Sequence, residues 1–174
     1  YGITWGTAKA DNYEITEALG TLEITKNTAT VTLTAPSDSK TYDGSALTAD
    51  GTGEKKVTAS GLPEGFTVEA TASGSQTDAG ESANVVNDGY VIKNAAGEDK
   101  TANFTNVTKA PGTLTVNKAP VTITTGSASK AYDGTALTKD EASITGLVNN
   151  ETATVTATGT ITEVGNTPNT YGIT

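Results

Sequence analysis

Few residues in this chain are of a type that performs covalent chemistry, and the most suggestive are two lysines. Lys40 and Lys130 stand at matching positions in Lys40-Thr41-Tyr42-Asp43-Gly44 and Lys130-Ala131-Tyr132-Asp133-Gly134. A buried lysine with a lowered pKa is a nucleophile, and beside an Asn or Asp side chain it can close an isopeptide bond when a carboxylic acid assists. The simpler reading of the Tyr-Asp-Gly triplets is a turn. Gly44 and Gly134 supply a positive φ, Asp43 and Asp133 cap nearby amides, and Tyr42 and Tyr132 pack inward. Carboxylates gather at Asp78, Glu81 and Asp88, at Glu98 and Asp99, and at Asp140 and Glu141. Calcium needs roughly six to eight converging oxygens, and neither EF-hand nor RTX spacing occurs. These groups therefore read as a solvated acidic surface, with a stiffening Ca²⁺ at a junction between repeats the one cofactor left open. Paired carboxylates for glycoside hydrolysis would need a cleft, which thin modules seldom offer. Trp5 and Tyr13 are sugar-stacking candidates, but Trp5 alternates with Ile3 and reads as facing a core.

What is absent excludes more than what is present suggests. The 174 residues contain no His, Cys or Met, and all 11 basic residues are Lys. Zinc, haem and iron–sulfur sites lose their preferred ligands, and histidine-assisted nucleophiles are excluded. A formal charge of −9 without arginine argues against nucleic-acid binding. No apolar run approaches the roughly 18–20 residues of a membrane-spanning helix. Without cysteine there is no disulfide framework, so neither an oxidising nor a reducing compartment is demanded. The chain is expected to be no enzyme.

The elements that must hold these residues come in copies. The nine residues from Lys40 to Thr48 recur from Lys130 to Thr138, and Gly61, Gly74 and Gly80 recur as Gly146, Gly159 and Gly165 with the same spacings of 13 and 6. Asn12-Tyr13 matches Asn103-Phe104, and Gly20-Thr21-Leu22 matches Gly112-Thr113-Leu114. Tyr-Gly-Ile-Thr stands at both 1–4 and 171–174. This pattern predicts an array alternating A-type and B-type modules with a period of 170 residues. Residues 26–117 would be a complete A-type module, 118–174 the N-terminal part of the next B-type module, and 1–25 the C-terminal strands of a preceding one. The chain reads as an excerpt of that array. Its first residues show no leader pattern.

Within the copies the alternation has period two. Ala29, Val31 and Leu33 alternate with threonines, as do Val121 and Ile123, Ala153, Val155 and Ala157, and Leu22 and Ile24 with Thr21, Glu23 and Thr25. Phe66, Val68 and Ala70 alternate with Thr67 and Glu69. Apolar and threonine faces on one strand predict antiparallel sheets with one solvated side. The fold class expected is all-β: tandem immunoglobulin-like antiparallel β-sandwich modules of about seven strands, in a rod. A β-grasp-like module with one short helix near residues 47–56 is the alternative. The connections at Thr25–Thr28 and Asn117–Val121 are short, one carries Pro120, and they leave little freedom between modules.

The Lys-x-Tyr-Asp-Gly-x-x-Leu-Thr motif, the later paired glycines and the closing Asn-Tyr/Phe with Gly-Thr-Leu-x-Ile/Val resemble the MBG and YDG-type repeats of bacterial surface adhesins. The resemblance covers both modules nearly end to end and is most specific at Tyr42, Asp43, Tyr132 and Asp133. It implies an extracellular, cell-wall-attached stalk whose partners are neighbouring repeats of the same protein. It carries no common ligand. Two other expectations stand beside a stalk. Each repeat could bind host glycan, mucin or matrix with avidity, or chains could form a fibre in which the half-modules complete one another. The sequence box of the common isopeptide-forming domains is absent.

Overall fold

The computed structural model describes residues 2–174; Tyr1, the first residue of the repeated Tyr-Gly-Ile-Thr, lies outside them. The chain is all-β. Its only helical pieces among those residues are single 3-10 turns at Ala10–Asn12 and Thr101–Asn103. Among the described residues no helix is long and apolar enough to cross a membrane.

Nine strands form between residues 31 and 117. They are β1 (Val31–Thr34), β2 (Asp38–Thr41), β3 (Thr58–Ser60), β4 (Thr67–Glu69), β5 (Ala72–Ser73), β6 (Gly80–Val86), β7 (Val91–Lys93), β8 (Val107–Ala110) and β9 (Gly112–Asn117). They assemble as a three-stranded sheet β3-β1-β8, a four-stranded sheet β2-β9-β6-β5 and the pair β4-β7. Alternation places the core: Val31 and Leu33 of β1 and Leu114 of β9 are fully buried, while Thr32 and Thr113 face outward. The larger core joins Val31, Leu33, Val57, Val86, Ile92 and Phe104, with Phe66 edge-on to Phe104 at 5.7 Å. A smaller one joins Leu47, Ala49, Leu114 and Val116 beneath Tyr42.

Two pairings depart from the antiparallel expectation. β1 runs parallel to β8 and β2 parallel to β9. Between the two pairings lies Pro36, which lacks an N–H and cannot continue a ladder. The chain leaves the first sheet at Ala35–Ser37 and enters the second as β2. β8 and β9, separated only by Pro111, make the same change of sheet alongside it. Gly112 passes so close to this kink that a Cβ there would lie 2.3 Å from the Pro36 carbonyl oxygen. The two tracks stay together from Asn27, whose N–H bonds the Asn103 carbonyl, to Tyr42, whose N–H bonds the Asn117 carbonyl. The unit is therefore entered at one end and left at the other.

Residues 118–174 repeat part of this plan. Here β10 (Thr122–Thr125) pairs with β12 (Ala142–Thr145), β11 (Leu137–Thr138) with β14 (Thr160–Ile161), and β13 (Val155–Ala157) with β15 (Tyr171–Ile173). The β10–β12 register, Thr122 opposite Thr145, repeats that of Thr32 opposite Ser60. No residue in this stretch is fully buried.

Three expectations are corrected. Residues 47–56 hold no helix. Asp50 Oδ1 instead accepts the N–H and hydroxyl of Thr52, and Gly51 and Gly53 take positive φ. Residues 21–25 form no strand ladder: Leu22 is 101% and Ile24 100% exposed, because neither has a partner strand. Trp5 does not enter a core but stacks on Tyr13, with ring centroids 5.7 Å apart.

Candidate functional site

Each Lys-x-Tyr-Asp-Gly copy folds into the same knot, built from its own turn. Asp43 Oδ1 accepts the Ser45 N–H at 2.9 Å and the Ser45 hydroxyl at 2.8 Å, and Gly44 takes φ +79°. Lys40 reaches forward past the end of its strand to place Nζ 2.7 Å from the same Asp43 oxygen and 2.7 Å from the Ser45 hydroxyl. The second copy matches: Lys130 Nζ lies 2.9 Å from Asp133 Oδ1, which accepts the Thr135 N–H at 2.9 Å and hydroxyl at 2.8 Å. The lysine hydrogen bond, reinforced by that backbone N–H, holds both carboxyls well below the usual carboxylate range. An ionised, half-exposed carboxylate facing a lysine that donates to several oxygens is an ion pair closing a turn.

The two tyrosines differ. Tyr42 is half-buried over Leu114 and Val116, and its hydroxyl donates to Glu151 Oε1 of the following stretch. That carboxylate is the chief reason its phenol is pushed above its ordinary value. Tyr132, expected inside, is 62% exposed. The difference is positional: Tyr42 sits where the next stretch packs on, and Tyr132 has no such neighbour among the described residues. A hollow of about 340 Å³ lies at this junction, lined by Tyr42, Asp78, Lys118, Val121, Val148 and Glu151 among others. Asp78 and Glu151 are its acidic members, and Glu151 is already engaged by Tyr42. Among the described residues no group of three acidic side chains converges as a cation site.

The remaining carboxylates are spread over local partners. Asp88 pairs with Lys109 at 2.5 Å, Glu98 with Lys100 at 3.0 Å and Glu141 with Lys139 at 3.4 Å. Asp99 caps Thr101, and Glu81 accepts weakly from Thr115 at 3.4 Å. Asp140 lies exposed beside β12. Lysine hydrogen bonds lower Asp38, Asp88 and Glu98 as well, and the Thr52 and Thr101 amides lower Asp50 and Asp99.

These shifts set an acid response. Each folded-state carboxyl titrates below its unfolded value of about 4, so its contribution is complete above that value and is lost as pH falls through the folded one. The melting temperature is therefore expected to be level from neutral pH to about 5 and to fall below about 4, less steeply in high salt. Asp43→Asn and Asp133→Asn should each flatten that fall. A thermal denaturation series from pH 7 to 2.5 measures both; a melting temperature unchanged at pH 3 would refute the assignment.

The most constrained polar side chain escaped the sequence reading. Asn84 of β6 is fully buried, and its Nδ2 donates to the Pro36 carbonyl at 2.9 Å and the Ala49 carbonyl at 2.8 Å. Asn169 repeats it, donating to the Gly126 carbonyl at 2.9 Å and the Lys139 carbonyl at 2.8 Å. Both stand four residues beyond the third glycine of the repeated series, Gly80 and Gly165, so extending the glycine register would have found them. The Asn84 amide ties the sheet-changing kink to the loop after the Tyr-Asp-Gly turn, and the Asn169 amide ties the matching residues Gly126 and Lys139.

No family model, curated protein or solved structure matches the chain.

Proposed function

We propose that this chain is a structural repeat of a large bacterial surface protein, part of an extracellular, wall-attached stalk that projects a distal adhesive region. In this reading residues 26–117 are one β-sandwich module, 118–174 the beginning of the next, and 1–25 the closing strands of a preceding one. The observation that carries it is the pair of parallel tracks, β1–β2 beside β8–β9, which brings the chain in at Asn27 and out at Asn117 at opposite ends. Modules joined this way add length rather than bulk. Two features stiffen the joint: the short Asn117–Pro120 connection and the Tyr42–Glu151 hydrogen bond across it. The adhesin-repeat resemblance of the Tyr-Asp-Gly motifs supplies the setting. The side chains described here do structural work, as turn knots, kink ties and cores.

Small-angle scattering on one, two and three covalently joined periods tests the proposal. An extended track of about 15 residues spans up to roughly 50 Å, so each two-module period should add up to roughly 100 Å to the maximum dimension. Linear growth is the expected result; dimensions that grow as for a compact particle would overturn it.

A further inference from the structure

We infer that the Tyr42-Asp43-Gly44 turn is a socket for the turn at Val148–Glu151, and that Asn149 is the positioning residue that fixes the angle between the two stretches. The inference deepens the stalk reading by naming what orients one unit on the next.

That orientation has to come from turns and side chains. Among the described residues no ladder crosses the junction: the strands between 31 and 117 pair with one another, and so do those between 122 and 173. Instead of a continuous apolar face, the junction holds the hollow of about 340 Å³. A covalent connection at one point keeps two units together but leaves them free to rock and twist. Two contacts set off from that point remove the freedom.

The socket begins where the chain leaves the first unit, since the Tyr42 N–H bonds the Asn117 carbonyl at 2.8 Å. Its floor is Gly44. A Cβ there would lie 2.5 Å from Cβ, Cγ and Nδ2 of Asn149, so the Asn149 side chain occupies the space any other residue would need. Its rim is Tyr42, whose hydroxyl donates to Glu151. The Lys40–Asp43–Ser45 knot holds both in place, with Gly44 at φ +79°. At the second copy Gly134 takes φ +73°, and nothing lies within 4 Å of the corresponding Cβ position. The close approach at Gly44 therefore belongs to the contact and not to the turn.

The plug is built against local preference. Asn149 and Asn150, with φ 53° and 58°, are the only non-glycine residues of positive φ among those described. The Glu151 N–H bonds the Val148 carbonyl at 2.9 Å, which closes a type I′ turn. The matching turn of the first stretch, Pro63–Phe66, follows the same Gly-Leu pair and closes with a 3.1 Å bond from the Phe66 N–H to the Pro63 carbonyl. Only Gly65 is of positive φ there, the pattern of a type II turn. The repeat can thus make this connection without strain. The strained version stands where it meets the socket, presenting Asn149 to Gly44 and Glu151 to Tyr42 together.

The chain has no cysteine, so spin labels on T67C/T156C attach only at those two exposed strand positions, one in each stretch. Pulsed dipolar electron paramagnetic resonance on the full chain should give one narrow distance distribution. Gly44→Ala should lose that single peak. Gly134→Ala, the same change in the same turn away from the junction, should keep it. Asn149→Gly retains the turn and empties the socket; it should also lose the peak, and Gly44→Ala in that background should cause little further loss. Asn149→Gly alone carries the test if Gly44→Ala unfolds the first unit, which circular dichroism reads. Equal distributions for Gly44→Ala and Gly134→Ala, both folded, or a wild-type peak in Asn149→Gly, would overturn the inference. Either failure is separable from that of the stalk proposal, since joined periods held by the short connection alone would still lengthen linearly.

Discussion

Asn84→Ala should lower the stability of residues 26–117 by about 3 kcal/mol, and the melting temperature by roughly 12–24 °C. The size follows from what the amide touches. Its Nδ2 is the donor to the Pro36 and Ala49 carbonyls, and the side chain is fully buried. Removing it strands the buried Ala49 carbonyl away from water, at about 1–3 kcal/mol, unpairs the part-buried Pro36 carbonyl, and leaves a small cavity. Asn84→Asp should be no better at neutral pH, because a carboxylate would face two acceptors with none of its own donors. Asn169→Ala makes the same deletion in the second stretch but should cost only about 1 kcal/mol. That residue is half-buried, and water can reach the carbonyls it serves. Calorimetry on the three variants decides the matter: equal losses at 84 and 169 would show that burial does not set the cost.

The sequence made the all-β class and the Tyr-Asp-Gly knots legible because both depend on residues close along the chain. Val31, Leu33, Leu114 and Val116 announce their inward side by alternation, and Asp43 finds Ser45 two residues away. What it hid depends on distant partners. The parallel tracks were invisible because alternation fixes which face is buried but not which neighbour lies alongside. Asn84 looked like any polar residue in a threonine-rich strand, since its partners are 35 and 48 residues away. The same blindness explains Trp5, Leu22, Ile24 and Tyr132. Each has the pattern of a packed residue, and each is exposed or only half-covered because no strand packs over it among the described residues.

That contrast yields the second large effect, in Leu114→Ala set against Leu22→Ala. The two leucines occupy the same place in Gly-Thr-Leu-x-Val/Ile, yet Leu114 is 0% and Leu22 101% exposed. Leu114 stands opposite Asp38 of β2 on one edge and Ser82 of β6 on the other, within the small core of Leu47, Ala49 and Val116. Truncating it removes the transfer free energy of the lost carbons and leaves a void that paired strands on both edges cannot close, a loss of about 3–4 kcal/mol. Leu22→Ala should leave the melting temperature of a dilute, single chain unchanged, because the side chain has no packing to lose. Covalently joined periods then become informative. If Leu22 closes a preceding module as Leu114 closes its own unit, Leu22→Ala in the second of two joined periods should cost about as much as Leu114→Ala, about 3–4 kcal/mol. Leu114→Ala should instead show the same deficit in one period and in two. A Leu22→Ala deficit already present in a single period would place Leu22 in a core of its own period, and the reading of residues 1–25 as closing strands of a preceding module would have to be given up.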